Sequence, residues 1–460
     1  MIALCKSGFS RTSLIAFLFL LFAPVSSYAG GGFKDAGDEY NGHPKWNAWV
    51  WGNSTLNFHG YHRFSYDWND GDSRAVFAAP GAGSKYRLGN EGDISAEYFL
   101  DYKYYFDGVP GRGGKKNSRY IGLFGGVADY KTQDNYKDLR YCLDLTLEKG
   151  CIPQFYMTLG NVLGDGVDIW FGRSFYGRRG LDLNDRFYTN PGQGADYGGG
   201  IKGLQGFGSG HNIDVAAFYL RDSSQGDDID GFSVDFRYKG IKTNKDGELI
   251  LWGKYSHRNG SNTIASSSED KDGFGVGIFH EQKNVLGGYW NVAALYREGA
   301  AEVQGIFNSQ IVREDQGYNL DKNYSWEINS DLLIQPNSDW AIKWIALARE
   351  DHRDVGNETL WLSTGIRPMY FINKNLNVSF ESGLDYVDNK GVFGDAEGSV
   401  WKNTLALGIT DKKGYNNRPI ARIYGTYAVW DEDLKGLVGT PVYEKDTEGW
   451  TFGVQFESWW

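Results

Sequence analysis

The residues best placed to do chemistry lie in "TLNFHGYHRF" (55–64) and "DISAEYF" (93–99). Tyr61 and Arg63 are two apart, so in an extended strand they share a face. Glu97 has the matching parity on the next clear strand. An aromatic ring beside a guanidinium and a carboxylate suits an amphipathic solute such as a sugar. The C–H face of the sugar stacks on the ring, while its hydroxyl edge exchanges charge-assisted hydrogen bonds. Spacing equally allows a structural reading, in which Tyr61 packs on a loop folded inward and Arg63 pairs with Glu97.

Other chemistries find little support. The seven histidines are scattered, and His59 and His62 fall on opposite faces of one strand. No G-x-S-x-G, H-E-x-x-H or C-x-x-C occurs, which argues against an enzyme. "GGGIKGLQGFGSG" (198–210) lacks the Lys-Ser/Thr of a phosphate loop and reads as a flexible linker or tight turn. "DWNDGD" (67–72) lacks the distal Glu of a calcium loop and reads as a hairpin loop. Neither a cofactor nor a metal is expected.

The elements that must carry these residues show period-two alternation. In "GFSVDFRYKG", Phe232, Val234, Phe236 and Tyr238 share one face, and Ser233, Asp235, Arg237 and Lys239 the other. In β-strands near 56–68 and 93–105 the same split appears, and similar segments recur near 213–220, 249–255, 288–297, 361–370, 420–430 and 450–460. Turn signals such as "NDGD", "KDGE" and "DKKGYNN" separate them. One face is rich in aromatics and the other in Arg, Asp, Glu and Lys, which a packed soluble core would not accept. A closed transmembrane antiparallel β-barrel with a wet lumen satisfies both, and it leaves no strand edge exposed. An aromatic content of 16%, with 63 Gly and a mean hydropathy of −0.48, agrees, because a barrel turns only half of each strand toward lipid.

The first residues have the layout of a secretory signal peptide: Lys6 and Arg11, an apolar run from Leu14 to Ala23, then Ser27-Tyr28-Ala29. Cleavage after Ala29 removes two positive charges and takes the net charge from −11 to −13, which argues against a nucleic-acid partner. Of three cysteines, Cys142 and Cys151 remain, and a local disulfide is expected in an exported chain. Residues 30–55 read as a short extension before a single barrel domain over 56–460.

The segments "FHGYHRF", "SKYRLGNE", "WFGRSFYGRRGLDLNDRFY", "GIRPMYF", "RPIARIYGTYAVWDE" and "EGWTFGVQFESWW" together resemble the maltoporin family of sugar-specific outer-membrane porins. The resemblance runs in family order from Leu56 to Trp460. It implies an all-β barrel of about 18 strands in the outer membrane, a homotrimer in contact with lipid, and one long loop folded inward as a constriction. It also implies facilitated diffusion of oligosaccharides along a track of aromatics flanked by ionic residues.

Carried over by position, Tyr61 and Trp459 match the track's aromatics. Tyr289 matches a phenylalanine, and Tyr136 stands for a tryptophan reaching over from a neighbouring subunit. Arg63, Arg87, Glu97, Arg178 and Asp185 match the ionic residues, and Arg140 aligns loosely. Two track positions are lost: Ser95 replaces a tyrosine and Asn416 a tryptophan, with Tyr415 adjacent at the wrong parity. In the constriction segment Gly180 replaces an aspartate and Phe187 a tyrosine. The family's early disulfide is absent, so the expected Cys142–Cys151 pair would be a different bridge. These gaps leave the preferred sugar open, from maltodextrin to another small oligosaccharide, with a general diffusion porin or a plugged outer-membrane receptor as the other readings.

Overall fold

The computed structural model describes residues 49–135, 152–192, 195–222, 229–260, 269–301, 322–353 and 357–460. The alternating segments become antiparallel strands. The first five of the wall are β2 (Ser54–Trp68), β3 (Asp93–Tyr105), β4 (Tyr120–Thr132), β5 (Phe155–Gly160) and β6 (Asp168–Arg173). After an inward excursion it continues with β9 (Tyr197–Gln205), β10 (Asn212–Asp222), β11 (Ile229–Lys242), β12 (Gly247–Arg258) and β13 (Lys271–Val285). Next come β14 (Gly288–Gly299), β15 (Tyr324–Ile334), β16 (Trp340–Arg353) and β17 (Asn357–Phe371). Last are β18 (Leu376–Lys390), β19 (Glu397–Thr410), β20 (Ile420–Trp430) and β21 (Glu448–Trp459). Each pairs with its neighbour in chain order, and β21 returns to β2 with Tyr61 opposite Trp459. The result is a closed all-β barrel of 18 antiparallel strands, as the alternation and the resemblance predict.

Two further pieces lie off the wall. A short strand β1 (Trp49–Trp51) pairs with Ser54–Leu56 and covers the part of β2 that β21 does not reach. The hairpin β7 (Arg179–Leu181) and β8 (Arg186–Thr189) forms a separate two-stranded sheet between β6 and β9.

The two ends differ. Connections such as 243–246, 286–287 and 372–375 are tight, and the chain's C-terminus lies at their end. Those at the other end include 69–92, 174–196 and 431–447. Short turns mark the periplasmic side of such barrels and long loops the exterior.

The parity reading holds along the wall. On β21, Trp450, Phe452 and Phe456 are exposed outward, whereas Thr451, Gln455 and Glu457 are buried inward. One reading needs correction. Residues 198–205 of the glycine-rich stretch belong to the wall strand β9, and only 206–210 turn. The glycines serve close packing: a Cβ on Gly198 would sit 2.6 Å from the Phe218 ring on β10.

The interior holds a hydrophobic core. Ala75, Phe77 and Tyr86 from the first long loop join Leu181, Leu183 and Tyr188 from the second, against Trp252, Phe279, Ile345 and Trp361 of the wall. A barrel of this size has room for such an inner layer, and alternation within strands carries no sign of it.

Candidate functional site: the constricted lumen

Two inward straps shape the lumen. The first, residues 75–91, lies against β17–β21 and is held mainly through its backbone. The Leu88 carbonyl accepts from Lys402 Nζ (2.5 Å) and Thr404 Oγ1 (2.9 Å), and the Gly89 carbonyl accepts from Thr426 Oγ1 (2.9 Å). Asn90 closes the strap on itself, donating through Nδ2 to the carbonyls of Phe77 (2.8 Å) and Tyr86 (3.0 Å). Tyr86 enters a slot between Gly365 and Gly383, which are paired across β17 and β18, and its hydroxyl meets Ser363 Oγ at 2.8 Å.

The second strap, residues 174–196, is the expected constriction loop. Arg186 reaches Glu327 of β15 at 2.6 Å with both side chains fully buried, and Arg349 meets the same carboxylate at 3.2 Å. Arg179 pairs with Glu281 (2.6 Å), Asp182 with Lys343 (2.9 Å), and Arg237 donates to the Gly177 carbonyl (2.7 Å). The straps touch where the Arg87 amide donates to the Leu183 carbonyl at 3.2 Å.

Beside that junction most of the predicted residues meet. The Tyr61 and Trp459 rings are stacked, 6.4 Å apart and 20° from parallel, and the Arg418 guanidinium lies 3.9 Å over the Trp459 ring. The Tyr61 hydroxyl accepts from Arg63 Nη1 and Arg87 Nη2, both at 3.0 Å, and donates to Glu457 Oε1 at 3.2 Å. Arg87 also faces Glu91 (2.8 Å), Glu457 (3.7 Å) and Asp185 (3.9 Å). Asp185 sits at φ +60°, a conformation that Asp tolerates, and its side chain is partly open to the lumen.

Arg63 departs from the structural alternative. It binds Asp93 through two hydrogen bonds of 2.9 Å and Glu91 at 2.8 Å, not Glu97. Glu97 instead accepts from the Tyr130 hydroxyl. Arg178 stands apart, its guanidinium 3.6 Å from the Phe175 ring and 4.6 Å from the Phe187 ring.

Tyr289 faces inward, as its parity predicts, but only 1% of it is exposed. Lys343 Nζ lies 4.6 Å over its ring, and Tyr415, Met369 and Phe371 pack around it. Tyr415 belongs to the turn 411–419 rather than to a strand, so strand parity does not govern it. It is buried, with its hydroxyl accepting from Arg367 Nη1 at 3.3 Å. Tyr136, Arg140, Cys142 and Cys151 lie outside the described residues. Among the described residues no group of three or more His, Cys, Asp or Glu could hold a metal ion.

Sequence reasoning missed Glu457, Glu91, Asp93, Arg418 and Tyr130. Glu457 was within reach, since it shares Trp459's parity on the last strand. Arg418 and Glu91 lie in connections, where parity is silent.

The LamB porin family model matches residues 56–460, the whole wall from near the start of β2 to the last residue. The chain belongs to the LamB porin family. As a LamB porin it is a sugar-specific channel of the outer membrane and not an enzyme. Among solved structures, this porin overlays the outer membrane channel DcaP of Acinetobacter baumannii at 15% identity, over 88% of this chain and 98% of that one, with a TM-score of 0.41. OpdL of Pseudomonas aeruginosa gives 11% identity over 89% and 98%, TM-score 0.42. OprD of the same organism gives 10% over 89% and 94%, TM-score 0.42. These values are too low to bear on function.

Proposed function

We propose that a small oligosaccharide diffuses through this LamB porin by stacking on the Tyr61–Trp459 pair while its hydroxyls exchange hydrogen bonds with Arg63, Arg87, Glu457 and Asp185. The observation that carries this reading is the stacked pair itself, with two cations and a carboxylate hydrogen-bonded to the Tyr61 hydroxyl and a third cation lying over the Trp459 ring. A flat apolar surface with polar groups at its rim matches a pyranose, whose C–H face and hydroxyl edge have the same division. Glu97 and Arg178 flank the path. Tyr289 enters as packing beneath Lys343 rather than as a platform.

The test is block of single-channel ion current by a series of sugars in a planar bilayer. Block that saturates at millimolar concentration and depends on the sugar supports the reading. If none of the sugars blocks, specific binding at this site is wrong and general diffusion replaces it.

We also propose that the porin works as a homotrimer embedded in outer-membrane lipid. β5 and β6 have six residues each. At ~3.3 Å per residue and a tilt of ~45°, six residues rise about 14 Å, against a hydrocarbon core of about 30 Å. A neighbouring copy covering this low sector accounts for the shortfall. Native mass measurement in detergent tests it, and a monomer that remains functional would overturn it.

A further inference from the structure

Tyr130 on β4 lies directly across from Ser95 of β3, and Ser95 lies across from Arg63 of β2, itself opposite Glu457 of β21. This row of inward residues is one rung closer to the long-loop end than Trp459, Tyr61, Glu97 and Ala128. Both the parity of Tyr130 and the bond from its hydroxyl to Glu97 place it on the lumen side. Two inward aromatics of this wall, Phe99 and Trp170, are 0% and 4% exposed, whereas Tyr130 keeps 54%. Its inward neighbour on the same strand is the small, buried Ala128.

A sugar moving from the Tyr61–Trp459 stack toward the long loops next meets the row Glu457, Arg63, Ser95 and Tyr130. Three of these are polar side chains without a ring. A pyranose ring needs an apolar face as well, and in this row only Tyr130 has one. Its hydroxyl is tethered to Glu97, so the ring loses little freedom when a solute settles on it. We infer that Tyr130 is a further sugar-stacking platform, supplying from β4 the aromatic surface that Ser95 on β3 lacks. This rests on the sugar-track reading above.

The experiment measures current block by the best-blocking sugar for the full-length parent, Y130A, Y130L and Y130F, with ion conductance confirming insertion. The half-saturating concentration is expected to rise about two- to tenfold in Y130A and Y130L, the span of one aromatic platform, and less than twofold in Y130F. Y130L keeps apolar bulk without an aromatic ring, so it decides the matter if Y130A does not insert. Block of Y130L within twofold of the parent overturns the inference. So does a Y130F as weak as Y130A, because the hydroxyl bond and not the ring would then matter. A parent blocked by no sugar removes the track reading first and this inference with it.

Discussion

The first strap should behave as a peg in a slot, and the peg is Tyr86. It is 1% exposed, and the slot exists because two glycines face each other across β17 and β18. A Cβ on Gly383 would lie 2.1 Å from Tyr86 Cδ2, and one on Gly365 would lie 2.1 Å from Cε1. No side chain fits at either distance, so Gly365→Ala or Gly383→Ala must push the ring out. Overpacking of this kind costs about 1–3 kcal/mol. Tyr86→Ala removes the peg instead, at roughly 3–5 kcal/mol for a buried aromatic, with a further ~1 kcal/mol for the bond to Ser363. The backbone bonds to Leu88 and Gly89, worth ~1 kcal/mol each, do not make up that loss. The barrel wall remains, but Arg87 next to the peg loses its fixed position beside Tyr61, Glu457 and Asp185. Each single variant should therefore raise ion conductance and the half-saturating sugar concentration. The double variant Y86A/G383A should match Y86A alone, because the clash needs the ring. Measuring all four channels in one bilayer series checks this. Strictly additive effects of the two substitutions, or a Y86A channel with parental conductance and sugar affinity, would refute the peg.

Tyr61→Ala should speed sugar release about two- to tenfold, by current-noise analysis, whereas Tyr61→Phe keeps the ring on Trp459 and should fall between it and the parent. Trp459→Ala should weaken sugar block in folded channels. Trp460→Ala should instead lower the heat resistance of the folded barrel, since that ring packs outward on Phe58 (5.5 Å) and Tyr98 (6.0 Å). Arg186→Met removes the 2.6 Å ion pair to Glu327 and leaves the carboxylate with Arg349 (3.2 Å) and Asn329 Nδ2 (3.0 Å), a loss of about 1.5–3 kcal/mol for one charge-assisted bond. The constriction loop should then become sensitive to protease in intact vesicles, with noisier open-channel current.

The wall was legible in the sequence because alternation is a local property of each strand. The closing "SWW" shows how far it reaches. One residue of parity separates Trp459, on the lumen side against Tyr61, from Trp460, on the outer face over Gly60. What runs between strands was not legible. Tyr86 finds its slot only once Gly365 and Gly383 are in register, and nothing in "SKYRLG" specifies partners nearly three hundred residues away. Tyr415 was assigned by parity in a segment that is a turn. The run of glycines at 198–205 resembled a linker because close packing against Phe218 and Ala216 removes the side chains that would otherwise show alternation. Arg63 was paired with the nearest carboxylate in view, Glu97, while Glu91 arrives from a strap whose inward path only the fold determines.

The way the lumen charges are shared bears on why the passing solute is neutral. Several carboxylates in the interior serve more than one cation. Glu457 meets Arg418 at 2.7 Å and Arg422 at 3.1 Å, with Arg87 farther off. Glu91 takes Arg63 and Arg87, both at 2.8 Å, and Glu381 takes Arg367 and Lys402. Removing one hydrogen bond from such a node leaves the carboxylate still neutralised, so a sugar hydroxyl can replace a donor without stranding a buried charge. An ion of either sign gains less, because the opposite charges it would pair with are already engaged, and it must shed water to enter. On the proposed sugar track, the compensation that fixes the straps in place is thus also what would let a polyol exchange bonds step by step along the constriction.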